Sequence, residues 1–326
     1  MTSSRRYIML ELKDVQDAYK RIRPYIIHTP LLRVPTLDEF IGCKVYLKPE
    51  MFQLTGSFKV RGATSRMTLL TDDERRNGVV TASSGNHAKA VAYAARKMGI
   101  KATVVMPEGP NPAKLAGIQK LGAEIRFKGT QTGERVALAR QLVEEKGYTL
   151  IHSHADFYVL AGQGTIALEV LEDEPDMDVI VSPVGGGGLI SGVSTAAKEL
   201  KPSIRVFGVE PASAPRYAKS LADGKALTIE TQYTIADGTR CNHADAGNLE
   251  IIRKRVDGLF NASEDRILAA MALCITEAKL VAEPSSVMGL AAAMDGQLSV
   301  NSTDKVCFIL TGGNNDLSLL DRVIHR

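Results

Sequence analysis

The architecture follows from one stretch, Val179-Ile180-Val181-Ser182-Pro183-Val184-Gly185-Gly186-Gly187-Gly188. Its first six residues are apolar or small, as expected for a strand that is buried on both faces. A helical segment follows the glycines at 189–200, and another apolar run follows at 205–209. The order of strand, helix and strand is typical of parallel sheets covered by helices.

The same alternation continues in both directions along the chain. We predict further strands at 79–81, 102–106, 124–127, 149–152 and 306–310, and further helices at 88–98, 112–121, 134–146 and 159–172. The predicted fold class is therefore α/β, with parallel sheets flanked by helices. Because no long Pro/Gly/Ser linker interrupts the pattern, two domains would be interleaved and not consecutive.

The composition is that of a globular protein with a sizeable core. The chain has 326 residues, of which 44% are hydrophobic and 24% are charged. A net charge of +3 argues for neither nucleic acid nor a membrane surface as a partner. No stretch approaches the about 18 apolar residues of a membrane span. The cysteines are widely separated, which predicts free thiols and a cytoplasmic location: Cys43, Cys241, Cys274 and Cys307.

The glycine run indicates an anion site. Glycines before a helix expose backbone N–H groups, and the helix dipole adds positive charge. One alternative is a tight turn. Another is a dinucleotide site, because Glu210 lies where a ribose-binding acid would be. However, Ile190 and Ser191 occupy the positions of the third glycine in G-x-G-x-x-G, so a single phosphate fits better than a pyrophosphate.

A lysine lies beside an aromatic ring in Thr55-Gly56-Ser57-Phe58-Lys59-Val60-Arg61-Gly62-Ala63. A lysine that forms Schiff bases must be reachable, partly desolvated and fixed in direction, and this frame of small residues suits it. Taken alone, such a lysine is usually a solvated charge and Phe58 a core residue. For Arg61 we predict only that it positions the segment through hydrogen bonds.

Two further segments follow predicted strands. In Ser83-Ser84-Gly85-Asn86-His87, backbone N–H groups and hydroxyls converge at a helix N-terminus, which favours binding of a carboxylate. The alternative is helix capping by Ser84 or Asn86. Thr311-Gly312-Gly313-Asn314-Asn315 by itself indicates a turn.

Together and in this order, the segments resemble the pyridoxal-phosphate enzymes of fold type II, which have the tryptophan synthase β-like fold. The resemblance extends from about Leu12 to Leu320 and is greatest for the serine/threonine dehydratase and serine racemase branch. It implies a large cofactor-binding domain of residues 1–77 and 156–326 and a small inserted domain of residues 78–155. We expect a homodimer or homotetramer.

The resemblance also implies which residues bind the cofactor. Pyridoxal 5'-phosphate would be held by Phe58, Lys59, Asn86, Gly185, Gly186, Gly187, Gly188, Glu283 and Thr311. Lys59 would form the Schiff base, Phe58 would lie against the pyridine ring, and Asn86 would bind the 3-oxygen. A hydroxyl such as that of Thr311 at the pyridine nitrogen leaves the ring largely neutral, which suits prompt departure of a β-leaving group. For Glu283 the alternative is an acid at a helix N-terminus.

The substrate site is implied in the same way. The α-carboxylate would bind to Ser83, Ser84, Gly85, Asn86 and His87, although the His87 side chain is better explained as structural. The predicted catalytic residues are Lys59 and Ser84. Racemases place a proton acceptor on each face of Cα, and Ser84 stands at the second position. Some dehydratases keep this serine, so it leaves both activities open.

The sequence departs from its relatives at a cation site. Many serine racemases bind a divalent cation at a segment that matches Glu210-Pro211, with a second carboxylate about six residues later. Here Arg216 follows instead and cannot supply a carboxylate. Glu210, helped by backbone carbonyls, is therefore left as a weak candidate ligand.

The expected reaction is β-elimination of water from a small amino acid, L-threonine or L-serine, to a 2-oxo acid and ammonia. Lys59 would remove the Cα proton as general base. Alternatives within the family are an amino-acid racemase with dehydratase side activity and a 3-hydroxyaspartate dehydratase. A β-replacement synthase shares the fold with different motifs, and a non-enzymatic ligand-binding protein on a nucleotide fold is the alternative from another class.

Overall fold

The computed structural model describes residues 9–110 and 112–325. The α-helices are α1 (Leu12–Ile22), α2 (Asp38–Ile41), α3 (Lys59–Met67), α4 (Asp72–Asn77), α5 (Asn86–Met98), α6 (Pro112–Gln119), α7 (Thr132–Lys146), α8 (Phe157–Asp173), α9 (Gly188–Leu200), α10 (Arg216–Asp223), α11 (Ala246–Arg255), α12 (Glu264–Thr276), α13 (Met288–Met294) and α14 (Leu317–Ile324). The strands are β1 (Leu32–Arg33), β2 (Lys44–Pro49), β3 (Val79–Ala82), β4 (Ala102–Met106), β5 (Glu124–Phe127), β6 (Thr149–Leu150), β7 (Val179–Pro183), β8 (Arg205–Pro211), β9 (Gly258–Ala262) and β10 (Lys305–Leu310). They form two sheets, which confirms the predicted α/β class.

The larger sheet has the strand order β1-β2-β10-β7-β8-β9. β1 is antiparallel to β2, and all other neighbours are parallel. The central strand β10 comes from near the C-terminal end of the chain and pairs Lys305 with Lys44 of β2 and Val306 with Val179 of β7. Parallel strands end at one edge of a sheet, so the segments that follow β2, β7 and β10 are brought to the same edge.

Alternate residues of the central strands face opposite hydrophobic clusters. Val181 of β7 and Phe308 of β10 belong to one cluster, whereas Ile180 and Ile309 belong to the other. This is the period of two that strand side chains follow. Because both faces are covered, the sequence of β7 is apolar or small throughout and does not alternate with polar residues.

The smaller sheet has the order β5-β4-β3-β6 and is entirely parallel. Its strands all lie within residues 79–150. Val60 of α3, outside that range, belongs to the same buried cluster as Val79 of β3 and Val91 of α5. The helix that begins at Lys59 is therefore held against the smaller sheet. The division into domains of 1–77 with 156–326 and of 78–155 stays a prediction.

Most element bounds agree with the sequence, and one differs for a visible reason. The strands predicted at 102–106 and 124–127 are β4 and β5, but the strand predicted at 149–152 ends at Leu150. The Nδ1 atom of His152 accepts the backbone N–H of Ala155 at 2.9 Å and that of His154 at 3.3 Å. This local hydrogen bonding turns the chain out of the sheet.

The cysteines are free thiols, as predicted: Cys43, Cys241, Cys274 and Cys307. Within residues 9–110 and 112–325, no helix is long and apolar enough to cross a membrane.

Candidate active site

Lys59 is the first residue of α3. Its Nζ atom donates a hydrogen bond to the backbone oxygen of Ser153 at 3.1 Å and lies 4.9 Å from the centroid of the Phe58 ring. Burial lowers the pKa of the Lys59 amine to about 8. A neutral amine is therefore accessible close to physiological pH, as a nucleophile or general base requires. Phe58 is 9% exposed and is part of a hydrophobic cluster, so its role beside a pyridine ring stays a prediction.

Arg61 fixes the start of α3. The guanidinium is fully buried and donates to both carboxylate oxygens of Glu50 at 2.7 and 2.8 Å and to both of Glu169 at 2.7 Å. Glu50 follows β2, and Glu169 belongs to α8. Two bidentate pairs of this kind hold a segment strongly in one geometry. This agrees with the positioning role that the sequence predicts for Arg61.

The glycine run connects β7 to α9, and polar side chains hold the carbonyl groups at its start. Arg216 donates to the oxygens of Val184 at 2.7 Å and Gly185 at 3.1 Å. The oxygen of Gly186 accepts from Tyr217 Oη at 2.8 Å and from Asn248 Nδ2 at 2.9 Å. None of these peptide bonds is cis, so each following N–H points the opposite way from its tied carbonyl.

The N–H groups of Gly185, Gly186 and Gly187 form no hydrogen bond with any residue that the structure describes. They precede the N-terminus of the 13-residue helix α9. Gly187 is buried and Gly185 and Gly186 are half-buried. Unpaired N–H groups that precede a helix are typical of an anion site. The arrangement fits a phosphate group.

Side chains could not occupy this loop. A Cβ atom at Gly186 would lie 2.2 Å from Cγ of His154, and one at Gly187 would lie 2.4 Å from Oη of Tyr217. Gly187 also has a φ of +87°, a conformation that L-residues with side chains rarely adopt. The glycines therefore allow His154 and Tyr217 to approach the loop while its N–H groups stay open.

The segment 83–87 lies between β3 and α5, with Gly85 as the residue before the helix. The Ser83 hydroxyl accepts the N–H of Gly85 at 3.4 Å. His87 is 3% exposed, its Nε2 atom contacts the oxygen of Ile151 at 2.9 Å, and burial lowers its pKa to about 3. A neutral, buried imidazole agrees with a structural side chain. The binding of a carboxylate by Ser83, Ser84, Gly85, Asn86 and His87 stays a prediction.

Four polar side chains form a continuous hydrogen-bonded row. Lys89 Nζ donates to Asn314 Oδ1 at 2.8 Å, Asn314 Nδ2 donates to Asn86 Oδ1 at 2.7 Å, and Asn86 Nδ2 donates to Glu283 Oε1 at 2.7 Å. A lysine ammonium can only donate. The Lys89 end of the row therefore sets the direction of both amides, and Asn86 presents a donor group. This is the group that the predicted contact with a cofactor oxygen needs.

Glu283 and Thr311 lie close to the same row. Burial raises the pKa of Glu283 to about 7. Ser286, in the short 3-10 turn Pro284–Ser286, lies with Oγ 3.0 Å from the Thr311 hydroxyl and accepts the N–H of Gly312 at 2.7 Å. An isolated β-bridge between Ser57 and Gly312 brings the segment that begins at Thr311 next to the lysine segment. Thr311 thus presents a neutral hydroxyl, supported by a second hydroxyl.

The carboxylate of Glu210 accepts hydrogen bonds from the chain, whereas a metal ligand would direct its oxygens at the cation. The Glu210 carboxylate accepts the N–H groups of Tyr217 at 3.0 Å and Ala218 at 2.9 Å and lies 3.4 Å from Arg216 Nη2. Burial raises the pKa of Glu210, an effect that Arg216 opposes. Among the described residues no group of three or more His, Cys, Asp or Glu side chains could hold a metal ion. The residues around Glu210 therefore do not fit a divalent cation.

The structure also brings to the site residues for which the sequence predicts no role: Lys89, His154, Tyr217, Asn248 and Asn314. Asn314 belongs to the turn after β10, and that position was its only sequence signal. The sequence shows Arg216 as a departure from the cation-site pattern of the relatives, but it does not predict the contacts of Arg216 with the glycine loop.

The open glycine loop and the buried lysine with its lowered pKa fit an α/β enzyme that uses a phosphate-bearing cofactor. The family model described as pyridoxal-phosphate dependent enzyme matches residues 22–312. The chain belongs to this family, and its cofactor is pyridoxal phosphate.

Relatives with three different activities are similar to the chain. An L-threonine ammonia-lyase of Thermotoga maritima is 39% identical over 98% of this chain and 79% of the relative. An L-threo-3-hydroxyaspartate ammonia-lyase of Saccharomyces cerevisiae is 39% identical over 93% of each chain. The structure of maize serine racemase is 37% identical, covers 98% of both chains and has a TM-score of 0.93. The branch that the sequence predicts is thereby confirmed.

Proposed function

We propose that the protein eliminates water from a small β-hydroxy amino acid, L-threonine or L-serine. The observation that carries the proposal is the buried pair of hydroxyls of Thr311 and Ser286, 3.0 Å apart. A neutral hydroxyl at a pyridine nitrogen leaves the ring a weak electron acceptor, which favours a reaction that discharges its electron pair at once by expelling a β-substituent.

Pyridoxal phosphate, when bound, supplies a carbonyl carbon that links to amines and a conjugated ring that withdraws electrons from Cα. Lys59 removes the Cα proton, for which its lowered pKa of about 8 suits it. The C–O bond at Cβ breaks, and the oxygen takes up the proton that Lys59 removed from Cα and leaves as water. Hydrolysis of the released enamine consumes one water and gives the 2-oxo acid and ammonia.

The predicted binding residues keep the substrate in place for this step. The free N–H groups of Gly185, Gly186 and Gly187 would bind the phosphate, and the donor group of Asn86 would bind an oxygen of the ring. The loop 83–87 would bind the α-carboxylate through its backbone N–H groups.

A racemase is the second candidate, because the Ser84 hydroxyl is available. It forms no hydrogen bond with another described residue and is partly exposed. A proton acceptor on the face of Cα opposite Lys59 is what racemisation adds to elimination.

The homodimeric or homotetrameric state and the cytoplasmic location are further parts of the proposal. A subunit contact would cover exposed apolar side chains such as Phe52, Tyr233 and Val281. Sedimentation of the purified protein measures the assembly.

The test is a product assay on the purified holoenzyme with L-threonine, L-serine, L-threo-3-hydroxyaspartate and L-alanine. The hydroxyaspartate is included because the yeast relative bears its name. L-alanine is the control, since it has a Cα proton and no β-leaving group. We expect 2-oxo acid and ammonia from L-threonine or L-serine and none from L-alanine. Formation of D-serine without oxo acid would instead assign a racemase.

A further inference from the structure

The Arg216 guanidinium is enclosed by oxygen atoms. It donates to the backbone oxygens of Val184, Gly185, Thr239 and Cys241 at 2.7, 3.1, 2.9 and 2.7 Å, respectively. A carboxylate oxygen of Glu210 lies 3.4 Å from its Nη2 atom. Arg216 and Glu210 are both completely buried. Four of the five N–H groups of the guanidinium thus donate to backbone oxygens, and the carboxylate of Glu210 forms an ion pair with it.

Such a shell has the composition of a hard-cation site. Calcium and magnesium take backbone carbonyl and carboxylate oxygens as ligands. Here the same types of oxygen surround a positive charge that belongs to the chain itself. Glu210 balances that charge, and its carboxylate also accepts the N–H groups of Tyr217 and Ala218 at the start of α10. The carbonyl and carboxylate oxygens at this place are thus already engaged by N–H groups of the chain.

The guanidinium joins two segments that are far apart in the sequence. One is the start of the glycine loop at Val184 and Gly185, and the other is the turn of Thr239 and Cys241. In the peptide groups Val184–Gly185 and Gly185–Gly186, Arg216 binds the carbonyl oxygen and the N–H group points the opposite way. Release of these carbonyls would let the N–H groups of Gly185 and Gly186 rotate.

We propose that Arg216 is a positioning residue for the glycine loop, that its guanidinium takes the place of a bound cation, and that cofactor binding therefore needs no divalent metal. The inference rests on the proposed role of the glycine loop as the phosphate site.

The first experiment uses the wild-type protein. Apoprotein is treated with EDTA, and pyridoxal phosphate is titrated in EDTA, in magnesium and in calcium, with cofactor absorbance and the melting temperature of the apoprotein as readouts. We expect the same dissociation constant and melting temperature in all three. A loss of affinity of about tenfold in EDTA, the usual effect of disturbing a metal site, would overturn the proposal.

The second experiment compares variants of Arg216. In Arg216→Asp, a second carboxylate joins Glu210 in a shell of carbonyls, so we expect cofactor affinity to fall at least about tenfold in EDTA and to recover with calcium. In Arg216→Met, one carboxylate remains, and we expect a similar fall without recovery. Arg216→Lys keeps the charge but has three donors for five oxygens, so its affinity should lie between those of the wild type and Arg216→Met.

An affinity for pyridoxal phosphate equal to that of the wild type, in Arg216→Met or in Arg216→Lys, would overturn the positioning role. If the other two variants fail to fold, Arg216→Lys alone still tests it. Borohydride reduction of the wild-type holoenzyme separates this failure from failure of the proposed function. If a cofactor adduct forms on Lys59 and the Arg216 variants bind the cofactor as the wild type does, only the present inference is rejected. Cofactor bound to the wild type with neither adduct nor oxo acid formed rejects the proposed function.

Discussion

The Asn86 side-chain amide donates to Glu283 Oε1 across 2.7 Å, and this hydrogen bond joins α5, beside the smaller sheet, to the turn that precedes α13. The acceptor is a buried carboxyl group, 6% exposed, with a raised pKa of about 7. The junction between the two parts of the site therefore changes its protonation state close to neutral pH.

This relationship predicts a pH-dependent stability. The pKa of Glu283 rises from 4.5 to about 7 on folding, so the folded state binds the proton more tightly. The stabilisation is fully present below about pH 4.5 and is lost as the pH rises through about 7. Between about pH 5 and pH 8 the wild-type apoprotein should lose up to about 3 kcal/mol relative to Glu283→Gln, measured by urea unfolding at each pH. Glu230→Gln, which changes an exposed residue, is the control. If the free energy of unfolding of Glu283→Gln differs from that of the wild type by the same amount at every pH, the prediction is contradicted.

Replacement of Lys59 should abolish both turnover and covalent trapping of the cofactor. The Lys59→Ala variant lacks the amine whose pKa is lowered to about 8. The readouts are oxo-acid formation and the mass of the borohydride-reduced protein. Lys101→Ala, which changes an exposed lysine, should behave as the wild type. A reduced adduct mapped to a lysine other than Lys59 would reject the assignment.

Gly187 should tolerate neither a methyl group nor a carboxylate. An added Cβ would lie 2.4 Å from the Tyr217 hydroxyl, and the φ of +87° disfavours any side chain. We expect Gly187→Ala to weaken cofactor binding and Gly187→Asp to weaken it by more than about 2 kcal/mol, because a charge is then buried unpaired in the loop that would bind the phosphate. Gly224→Ala is the control, with a φ of +78° and open space around the added Cβ. Unchanged cofactor occupancy of Gly187→Asp after dialysis would exclude the loop as the phosphate site.

Ser84→Ala should separate racemisation from elimination. Elimination needs one base at Cα, whereas racemisation needs an acceptor on each face. If the wild type forms D-serine from L-serine, the variant should lose that product and keep most pyruvate formation, with both followed in the same reaction. Equal loss of the two products would show that Ser84 serves in binding.

Much of the fold could be read from local sequence because its signals are local. The apolar run of β7 and the bounds of β4 and β5 depend on residues adjacent in the chain. The early end of β6 at Leu150 could not, because a side-chain hydrogen bond of His152 competes there with the sheet.

The site divides in the same way. Lys59 and the glycine run are recognisable because their neighbours in sequence supply the chemistry. The row from Lys89 through Asn314 to Asn86 joins residues 225 and 228 positions apart, and no spacing rule predicts such pairs. Arg216 likewise reaches Val184 across 32 positions, and only the folded chain shows that it holds the glycine loop.

The position of β10 in the middle of the larger sheet has a consequence for synthesis on the ribosome. Until Lys305–Leu310 has left the exit tunnel, β2 and β7 have no partner along the sides that β10 will cover. A nascent chain at that stage exposes two apolar strand edges, which are favourable sites for misassociation with other chains. Sheet completion must therefore wait until Lys305–Leu310 has been translated, and a chain truncated before Lys305 should accumulate in the insoluble fraction.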